Sequence, residues 1–549
     1  MDNATRPPRG ITRPALGALS GLLAGYAAIA VAQLVSAAVR PEAGPVIAVG
    51  GAAIDRTPPG VKDWAIREFG TNDKLVLRLG ILAVLSVLAL ALGVVATHHR
   101  PAGSLGVLAF GVIGAVAAVG RPDSTGPLDA LPSVVGAVVG SGLLFWLVGR
   151  LPAPHRPASR GAGQDPKAVD DRDTADAHDP VAGSAEGWDR RGFILAATAA
   201  AAASTGVGLA GRALSGSQGK DAVASRAGIA FPPVTSGAGS VPRGAASRVA
   251  GVSPFMTSND DFYRVDTALV VPKVDATSWK LRIRGKGVTC ERTLTFDELL
   301  KMPLIERRIT LTCVSNEVGG PYAGNARWIG VRLADLLEQC GVRPPSKGGP
   351  ADQLVARSVD GMTIGSPVED VMDGRDAMLA LGMNGEPLPF AHGFPVRMLV
   401  PGLYGYVSAC KWIKDIELTT FDSYDTYWVK RDWARRAPVK TQSRIDTPNP
   451  FARPRAGTVM VAGVAWAQHR GIDKVEVRVD DGPWAGARLA AEDTRDTWRQ
   501  WSYAWQATKG DHTLTVRATD RTGETQTAER TRTVPDGASG RHSVVVTVE

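Results

Sequence analysis

Two hydrophobic patterns divide this chain. Before about residue 150 apolar residues run almost uninterrupted, whereas beyond about residue 255 they alternate with polar ones in short segments. Four stretches, Ala15 to Val39, Leu79 to Thr97, Leu105 to Val119 and Leu131 to Val148, are apolar enough to span a bilayer, and a fifth begins at Phe193. Gly44 to Ile54 is apolar but too short to span, and is expected at the membrane interface. Arg6, Arg9 and Arg13 precede the first span, His98, His99 and Arg100 follow the second, and Arg150, Arg156 and Arg160 follow the fourth. Those flanks are expected to be cytoplasmic.

Residues 151–188 are rich in Asp, Ala, Gly, Pro and Arg and nearly devoid of large apolar side chains, which predicts a disordered cytoplasmic linker. It leads into Asp189-Arg190-Arg191-Gly192-Phe193-Ile194-Leu195, which resembles a twin-arginine export signal. With the fifth span this covers 189–212. The expected consequence is that everything beyond lies outside the cytoplasm and carries a cofactor inserted before export. A Gly/Ser/Ala/Arg-rich flexible spacer is expected at 213–254.

From Thr257 the pattern is that of a folded domain. Trp279 to Gly285 reads as a strand, Thr295 through Leu300 as a helix, Ile309 to Cys313 as a strand, Trp328 to Val331 as another, and Leu333 to Gln339 as a helix stopped near Gly341. Short strands and helices alternate irregularly, so the expected class is α+β. After Pro450 the chain changes to short alternating strands over Thr458–Val464, Lys474–Val479, His512–Ala518 and Ser543–Val548, the pattern of a β-sandwich. In the second of these Val475, Val477 and Val479 face one way and Glu476, Arg478 and Asp480 the other, with a turn at Asp481-Gly482.

Composition sharpens this division. At 549 residues the chain needs two or more cores. Its net charge of +8 and isoelectric point of about 9.3 come without an aromatic-interleaved basic stripe, so no nucleic-acid partner is expected. Cys290, Cys313, Cys340 and Cys410 show no CxxC or finger spacing, which argues against a zinc site. No GxGxxG after a strand and no P-loop occurs.

The candidate chemistry gathers around one thiol. Cys313 closes a strand, and some eighty residues later His392-Gly393-Phe394-Pro395-Val396-Arg397 precedes Lys411-Trp412. A soft sulfur ligand followed by a Gly/Pro-shaped loop with Arg and Lys suits a metal and an anionic cofactor. Asp260-Asp261-Phe262-Tyr263-Arg264, Leu311-Thr312-Cys313, Arg327-Trp328-Ile329-Gly330-Val331, Met383-Asn384-Gly385-Glu386-Pro387-Leu388-Pro389 and His392 to Arg397 together resemble the sulfite oxidase family of molybdopterin enzymes, over about residues 255–545.

That resemblance implies a mononuclear molybdenum held by a pterin dithiolene and by Cys313, which with Arg264 is the expected catalytic pair. It implies cofactor contacts from Asp260, Tyr263, Arg264, Asp360, His392, Arg397, Ala409, Cys410 and Lys411. Arg307 and Arg308 stand near the thiol as candidates to stabilise negative charge. The pattern also departs from the family. Where sulfite oxidases place an arginine cluster after the metal cysteine this chain has Glu317, and where they carry an active-site tyrosine it has Met362. A carboxylate near the metal disfavours a dianion, so the expected reaction is oxygen-atom transfer on an S- or N-oxide or a small sulfur compound. True sulfite oxidation is the alternative, and a cofactor-free membrane-tethered adhesion protein is the rival from another class.

Val464-Ala465-Trp466 and Asp481-Gly482-Pro483-Trp484 resemble the immunoglobulin-like dimerisation domain of the same family, with Trp498, Trp501 and Trp505 in its core or at an interface. None of the eight histidines falls within a predicted span and no CxxCH occurs, so no haem is expected and electrons need a separate carrier. The full expectation is a multi-domain protein of N-terminal transmembrane helices (1–150), an α+β molybdopterin domain (255–436) and an immunoglobulin-like β-sandwich (437–549). Its expected partners are a small-molecule substrate, the cell membrane, the electron carrier, the twin-arginine export machinery and a second copy in a homodimer.

Overall fold

The computed structural model describes residues 13–58, 61, 68–69, 73–121, 123–124, 126–151 and 190–549. It divides into two compact units, Met1–Ser215 and Gly216–Glu549. Arg6, Arg9, Arg156, Arg160 and the expected linker beyond Leu151 lie outside the described residues.

The first unit contains helices α1 (Arg13–Val39), α2 (Pro45–Arg56), α3 (Asp73–His98), α4 (Arg100–Val119) and α5 (Leu131–Gly149), and most of α6 (Arg190–Ala227). Among the described residues five helices are long and apolar enough to cross a membrane: α1, α3, α4, α5 with the turn before it, and α6. His98, expected just past the second span, is its last residue. Small residues make the helix contacts. A Cβ on Gly21 would meet the Ala89 carbonyl at 2.0 Å, and one on Gly136 would meet the Ala28 carbonyl at 2.5 Å, so α1 approaches both α3 and α5 closely. Leu79, Val87, Leu105 and Val116 stay exposed instead. Between the end of α1 and the start of α5, Arg40 pairs with the buried Asp123 and Asp129 at 2.6 and 2.7 Å, and Arg121 pairs with Asp123 at 2.8 Å.

The second unit begins with the last turns of α6 and builds one mixed and one antiparallel sheet. Its elements are β1 (Lys280–Gly285), β2 (Arg292–Thr295), α7 (Phe296–Leu300), β3 (Leu304–Thr312), β4 (Ala323–Arg332), α8 (Leu333–Gln339), β5 (Gln353–Ser358), β6 (Thr363–Pro367), α9 (Val368–Met372), β7 (Met378–Met383), β8 (Glu386–Pro387), β9 (Arg397–Leu399), α10 (Gly405–Ser408) and β10 (Ile413–Thr419). One sheet has the order β2-β1-β10-β5-β6, with β1 and β10 parallel, and the other runs β3-β4-β7-β8 with β9 on β7. Local signals placed the expected elements. Thr295 caps α7 through a capping box with Glu298, and β3 ends at Thr312 with Cys313 just beyond it.

The C-terminal strands are β11 (Gln442–Thr447), β12 (Gly457–Trp466), β13 (Ile472–Val479), β14 (Ala485–Gly486), β15 (Arg488–Leu489), β16 (Arg499–Ala507), β17 (Gly510–Asp520) and β18 (His542–Val548). They form two four-stranded sheets, β11-β12-β16-β15 and β14-β13-β17-β18, which share one core containing Val461, Val475, Val477, Trp501, Val516 and Val546. Glu476 faces outward as its position predicts, yet it is covered, because Lys474 and Arg517 close over its carboxylate at 2.7 and 2.8 Å. Trp498 does not fill the sandwich. It packs in the core of the preceding domain and donates from its indole to the Phe255 carbonyl at 2.9 Å.

The expected boundary at 212 and the flexible spacer after it are not what the structure shows. α6 continues to Ala227, where Arg226 donates to the carbonyls of Leu388 and Pro387 at 2.8 and 2.7 Å. The chain then runs along β3 as an extended strap, with the Thr235 N–H on the Leu304 carbonyl and the Glu306 N–H on the Ser236 carbonyl, both at 2.8 Å. Few apolar side chains report this strap in the sequence, because main-chain carbonyls hold it.

Candidate active site

Cys313 is positioned by a closed loop at the end of β3. Its N–H donates to the Tyr322 carbonyl at 2.9 Å, and the Asn316 side chain accepts from the Tyr322 N–H at 2.7 Å. The thiol is 8% exposed, and its Sγ accepts from the Ser315 N–H at 3.4 Å. Burial pushes the thiol above its ordinary range, opposed by Ser315 and by the Lys411 ammonium. A sulfur that accepts a backbone N–H within the field of an ammonium is set up to carry negative charge once a metal replaces its proton.

The second wall comes from the segment between β7 and β9. After the Asn384-Gly385 turn a short 3-10 turn ends at His392, and Gly393 has φ 112°. A Cβ there would sit 3.1 Å from the Lys411 Cα, so only glycine allows these two main-chain segments to approach. His392 is buried, with its Nε2 against the Asn259 carbonyl at 3.0 Å and its ring edge-on to Phe262. Burial first, then Arg397 and Lys411, lower its pKa to about 4. Arg397 is 5% exposed, lies 5.2 Å over the Trp328 ring, and donates from Nη1 to the His392 carbonyl at 3.2 Å. Burial lowers even this guanidinium to about 10.

Tyr263 stacks on Phe262 at 5.1 Å, and burial together with the neighbouring Cys313 raises its phenol, so it stays protonated. Arg264 and Lys411 share one oxygen of Asp266, at 3.1 and 3.0 Å, and Lys411 also donates to the Ala391 carbonyl at 3.0 Å. Asp266 is a site residue that the motif reading missed. Its only sequence signal is its place two residues after Arg264. Cys410 is 3% exposed, and its thiol points at the Lys411 carbonyl at 3.7 Å, a donor arrangement unlike that of Cys313. Burial and the charge of Asp360 push the Cys410 thiol up. Asp360 accepts from the Met362 N–H at 3.3 Å, and Ala409 is half-buried beside Cys410. Asp260 stands apart from this group. It is exposed on the wall of an open cavity of about 650 Å³ that Asn259, Arg327, Asn384 and Glu386 also line.

Two expectations near the thiol change. Arg307 and Arg308 are not anion-stabilising groups at the site: Arg307 pairs with Asp376, and Arg308 forms a buried fork with Asp493 at 2.6 and 2.7 Å while holding the strap carbonyls of Ala238 and Gly239. Alternation along β3 sends the two side chains to opposite faces, and each ends in its own structural ion pair, with Asp376 and with Asp493. Glu317 is exposed, so water screens the repulsion expected of its carboxylate.

The residues fit a molybdenum–molybdopterin group. His392 Nδ1 and Arg397 Nε are buried without a hydrogen-bond partner among the described residues, which is costly in a protein interior unless a ligand brings an acceptor to the guanidinium and a donor to Nδ1, the unprotonated nitrogen of a neutral ring whose Nε2 faces the Asn259 carbonyl. A thiol sulfur, a buried guanidinium and an ammonium around a glycine that admits close approach match a soft metal and an anionic tail.

Residues 268–428 match the oxidoreductase molybdopterin binding domain. Mitochondrial sulfite oxidase of Rattus norvegicus is 30% identical over 288 residues, 45% of this chain and 52% of that protein. The Homo sapiens enzyme is 28% identical over 303 residues, 48% and 55% respectively. The uncharacterized oxidoreductase YuiH of Bacillus subtilis is 31% identical over 162 residues, 30% of this chain and 75% of that protein. The sulfane dehydrogenase SoxCD of Paracoccus pantotrophus superposes with a TM-score of 0.46 and 23% identity, covering 54% of this chain and 84% of that one. This chain belongs to the sulfite oxidase family of molybdopterin-binding oxidoreductases. It spans about half the length of the sulfite oxidases it matches.

Proposed function

We propose that this protein is a membrane-anchored, extracytoplasmic oxidoreductase that transfers an oxygen atom at a mononuclear molybdenum ligated by Cys313. The observation that carries the reading is the pairing of a buried acceptor sulfur at Cys313 with Arg397 Nε and His392 Nδ1, buried and without a hydrogen-bond partner among the described residues. When bound, the molybdenum cofactor supplies oxygen-atom transfer coupled to a two-electron change. The chain supplies the rest: Cys313 the thiolate, Arg397 and Lys411 charge-assisted donors for the pterin phosphate, His392 a neutral ring, and Tyr263 a phenol held protonated beside the sulfur. Arg264 and Asp360 complete the cradle, with main-chain contacts from Ala409 to Lys411.

The five apolar helices support membrane anchoring, because small residues face inward and large apolar ones outward, the arrangement that lipid favours. Arg190-Arg191 before α6 supports twin-arginine export. The C-terminal sandwich is assigned as the immunoglobulin-like module of the family, with homodimerisation its expected role, and a separate carrier takes or supplies electrons. The proposed substrate is an S- or N-oxide or a small sulfur compound. Sulfite is the second reading, favoured by the relatives named sulfite oxidase and by the exposure of Glu317.

Metal analysis of the full chain tests the centre. One molybdenum per chain, lost in Cys313→Ser, is expected; a chain without molybdenum would favour a cofactor-free binding protein. A screen of sulfite and of S- and N-oxides with artificial electron carriers separates the two substrate readings.

A further inference from the structure

The C-terminal sandwich grips the polypeptide on both sides of Cys313. Before the cysteine, Gln468 donates from Nε2 to the Thr310 carbonyl and to the Thr312 hydroxyl at 3.0 and 2.9 Å, and the Trp498 N–H donates to the Thr310 hydroxyl at 2.7 Å. After it, Arg444 on β11 donates from Nη1 to the Gly320 carbonyl at 2.8 Å. The same guanidinium is fixed by Asp446 at 2.6 Å and by the Ser253 hydroxyl at 2.9 Å, so its aim is set from two sides. His542, the first residue of β18, lies directly on Gly319: a Cβ there would fall 2.2 Å from the imidazole Cδ2. Its Nδ1 accepts the Ile445 N–H at 3.0 Å, which fixes the ring plane.

These contacts fall on the loop that carries the sulfur. Cys313 to Tyr322 is closed by the Cys313 N–H on the Tyr322 carbonyl and by Asn316, so Gly319 and Gly320 form its far turn. Moving that turn moves Tyr322 and hence the Cys313 main chain. Cys313 sits at the root of this loop, so a far turn left free would tilt Tyr322 and the carbonyl that holds the Cys313 N–H, and a metal ligand needs one position.

We propose that Arg444 and His542 are positioning residues for the metal ligand: the C-terminal sandwich sets the place of the Cys313 sulfur by clamping Gly319 and Gly320. The inference rests on the assignment of Cys313 as ligand and gives the sandwich a role at the molybdenum centre of its own chain.

The test uses the full chain. In cofactor-free protein, iodoacetamide alkylates Cys313 on the order of tenfold faster in Arg444→Ala than in wild type, with Cys410 unchanged as internal control. Arg444→Lys, which keeps one donor for Gly320, recovers much of the slow rate. In cofactor-loaded protein the same Arg444→Ala change alters the electron paramagnetic signature of the one-electron-reduced metal. An unchanged Cys313 rate and an unchanged signature in folded Arg444→Ala overturn the proposal. Should Arg444→Ala not fold, hydrogen exchange of the wild type decides: amides of 314–322 are expected to open together with those of 443–446, and independent, much more frequent opening of 314–322 overturns it. Molybdenum retained in Cys313→Ser would instead sink the functional reading, while the alkylation and exchange results would still report on the clamp.

Discussion

Arg397 donates to the His392 carbonyl at 3.2 Å, and each of the two side chains holds a second buried nitrogen with no hydrogen-bond partner among the described residues. Each gap is of the kind that costs about 1–3 kcal/mol, so the pair favours a ligand that brings an acceptor for Arg397 Nε and a donor for His392 Nδ1. Burial acts on both groups, but only His392 escapes its charge by staying neutral; Arg397, lowered to about 10, remains a guanidinium cation at pH 7.

Arg397→Ala is expected to lower molybdenum content by at least about tenfold, since a charge-assisted hydrogen bond is worth about 1.5–3 kcal/mol and 1.4 kcal/mol is tenfold. Arg397→Lys is expected to recover little, because a point charge does not reproduce the fork. Metal analysis per folded chain checks both.

Cys313→Ser and Cys410→Ser are expected to part company. The first loses metal on the order of tenfold or more, and the second keeps it, because only Cys313 presents its sulfur as an acceptor. In cofactor-free chain the alkylation rate of Cys313 at pH 7 is expected to fall below that of the exposed Cys290, since burial holds the thiol protonated. Peptide mapping after a timed iodoacetamide pulse reads this out.

The pH dependence of the cofactor-free chain follows from His392. Its folded pKa of about 4 lies below the ordinary 6.5, so the unfolded chain binds the proton first as pH falls. The stability it contributes is full above about pH 6.5 and is lost between 6.5 and 4, by at most about 3 kcal/mol. A cofactor phosphate bound beside the ring would raise that pKa, so the loaded chain is expected to show a smaller loss. Unfolding midpoints from pH 7 to pH 4, with His392→Asn as control, decide it.

Asp266→Asn is expected to destabilise the cofactor-free chain by about 1–3 kcal/mol, because it leaves the nearly buried Lys411 ammonium with a neutral partner. Removing the carboxylate also leaves Arg264 and Lys411 to an incoming phosphate, so inorganic phosphate is expected to raise the melting temperature of the variant more than that of the wild type. Equal shifts would count against an anion cradle at these residues.

Local chemistry wrote much of this molecule into its sequence. The apolar runs gave the five long helices, the Thr295–Glu298 capping box gave α7, the alternation before Cys313 gave β3, and the His392 to Arg397 block gave one wall of the site, because each depends on residues close in the chain. What lay hidden depends on partners far away in it. Alternation alone did not show that Arg308 would be spent on Asp493, 185 residues on, nor that a spacer poor in apolar side chains would be pinned through its carbonyls. Trp498 was expected in the sandwich core or at an interface, and it is Thr310 and Phe255 of the preceding domain that hold it. The sequence by itself determined the order of the elements and put forward Cys313 and the His392 to Arg397 block as candidates; only the tertiary structure decided that Asp266 joins Arg264 to Lys411 and that Arg444 and His542 reach the Cys313 loop, since hydrogen bonds and ion pairs between distant segments leave no periodicity to read.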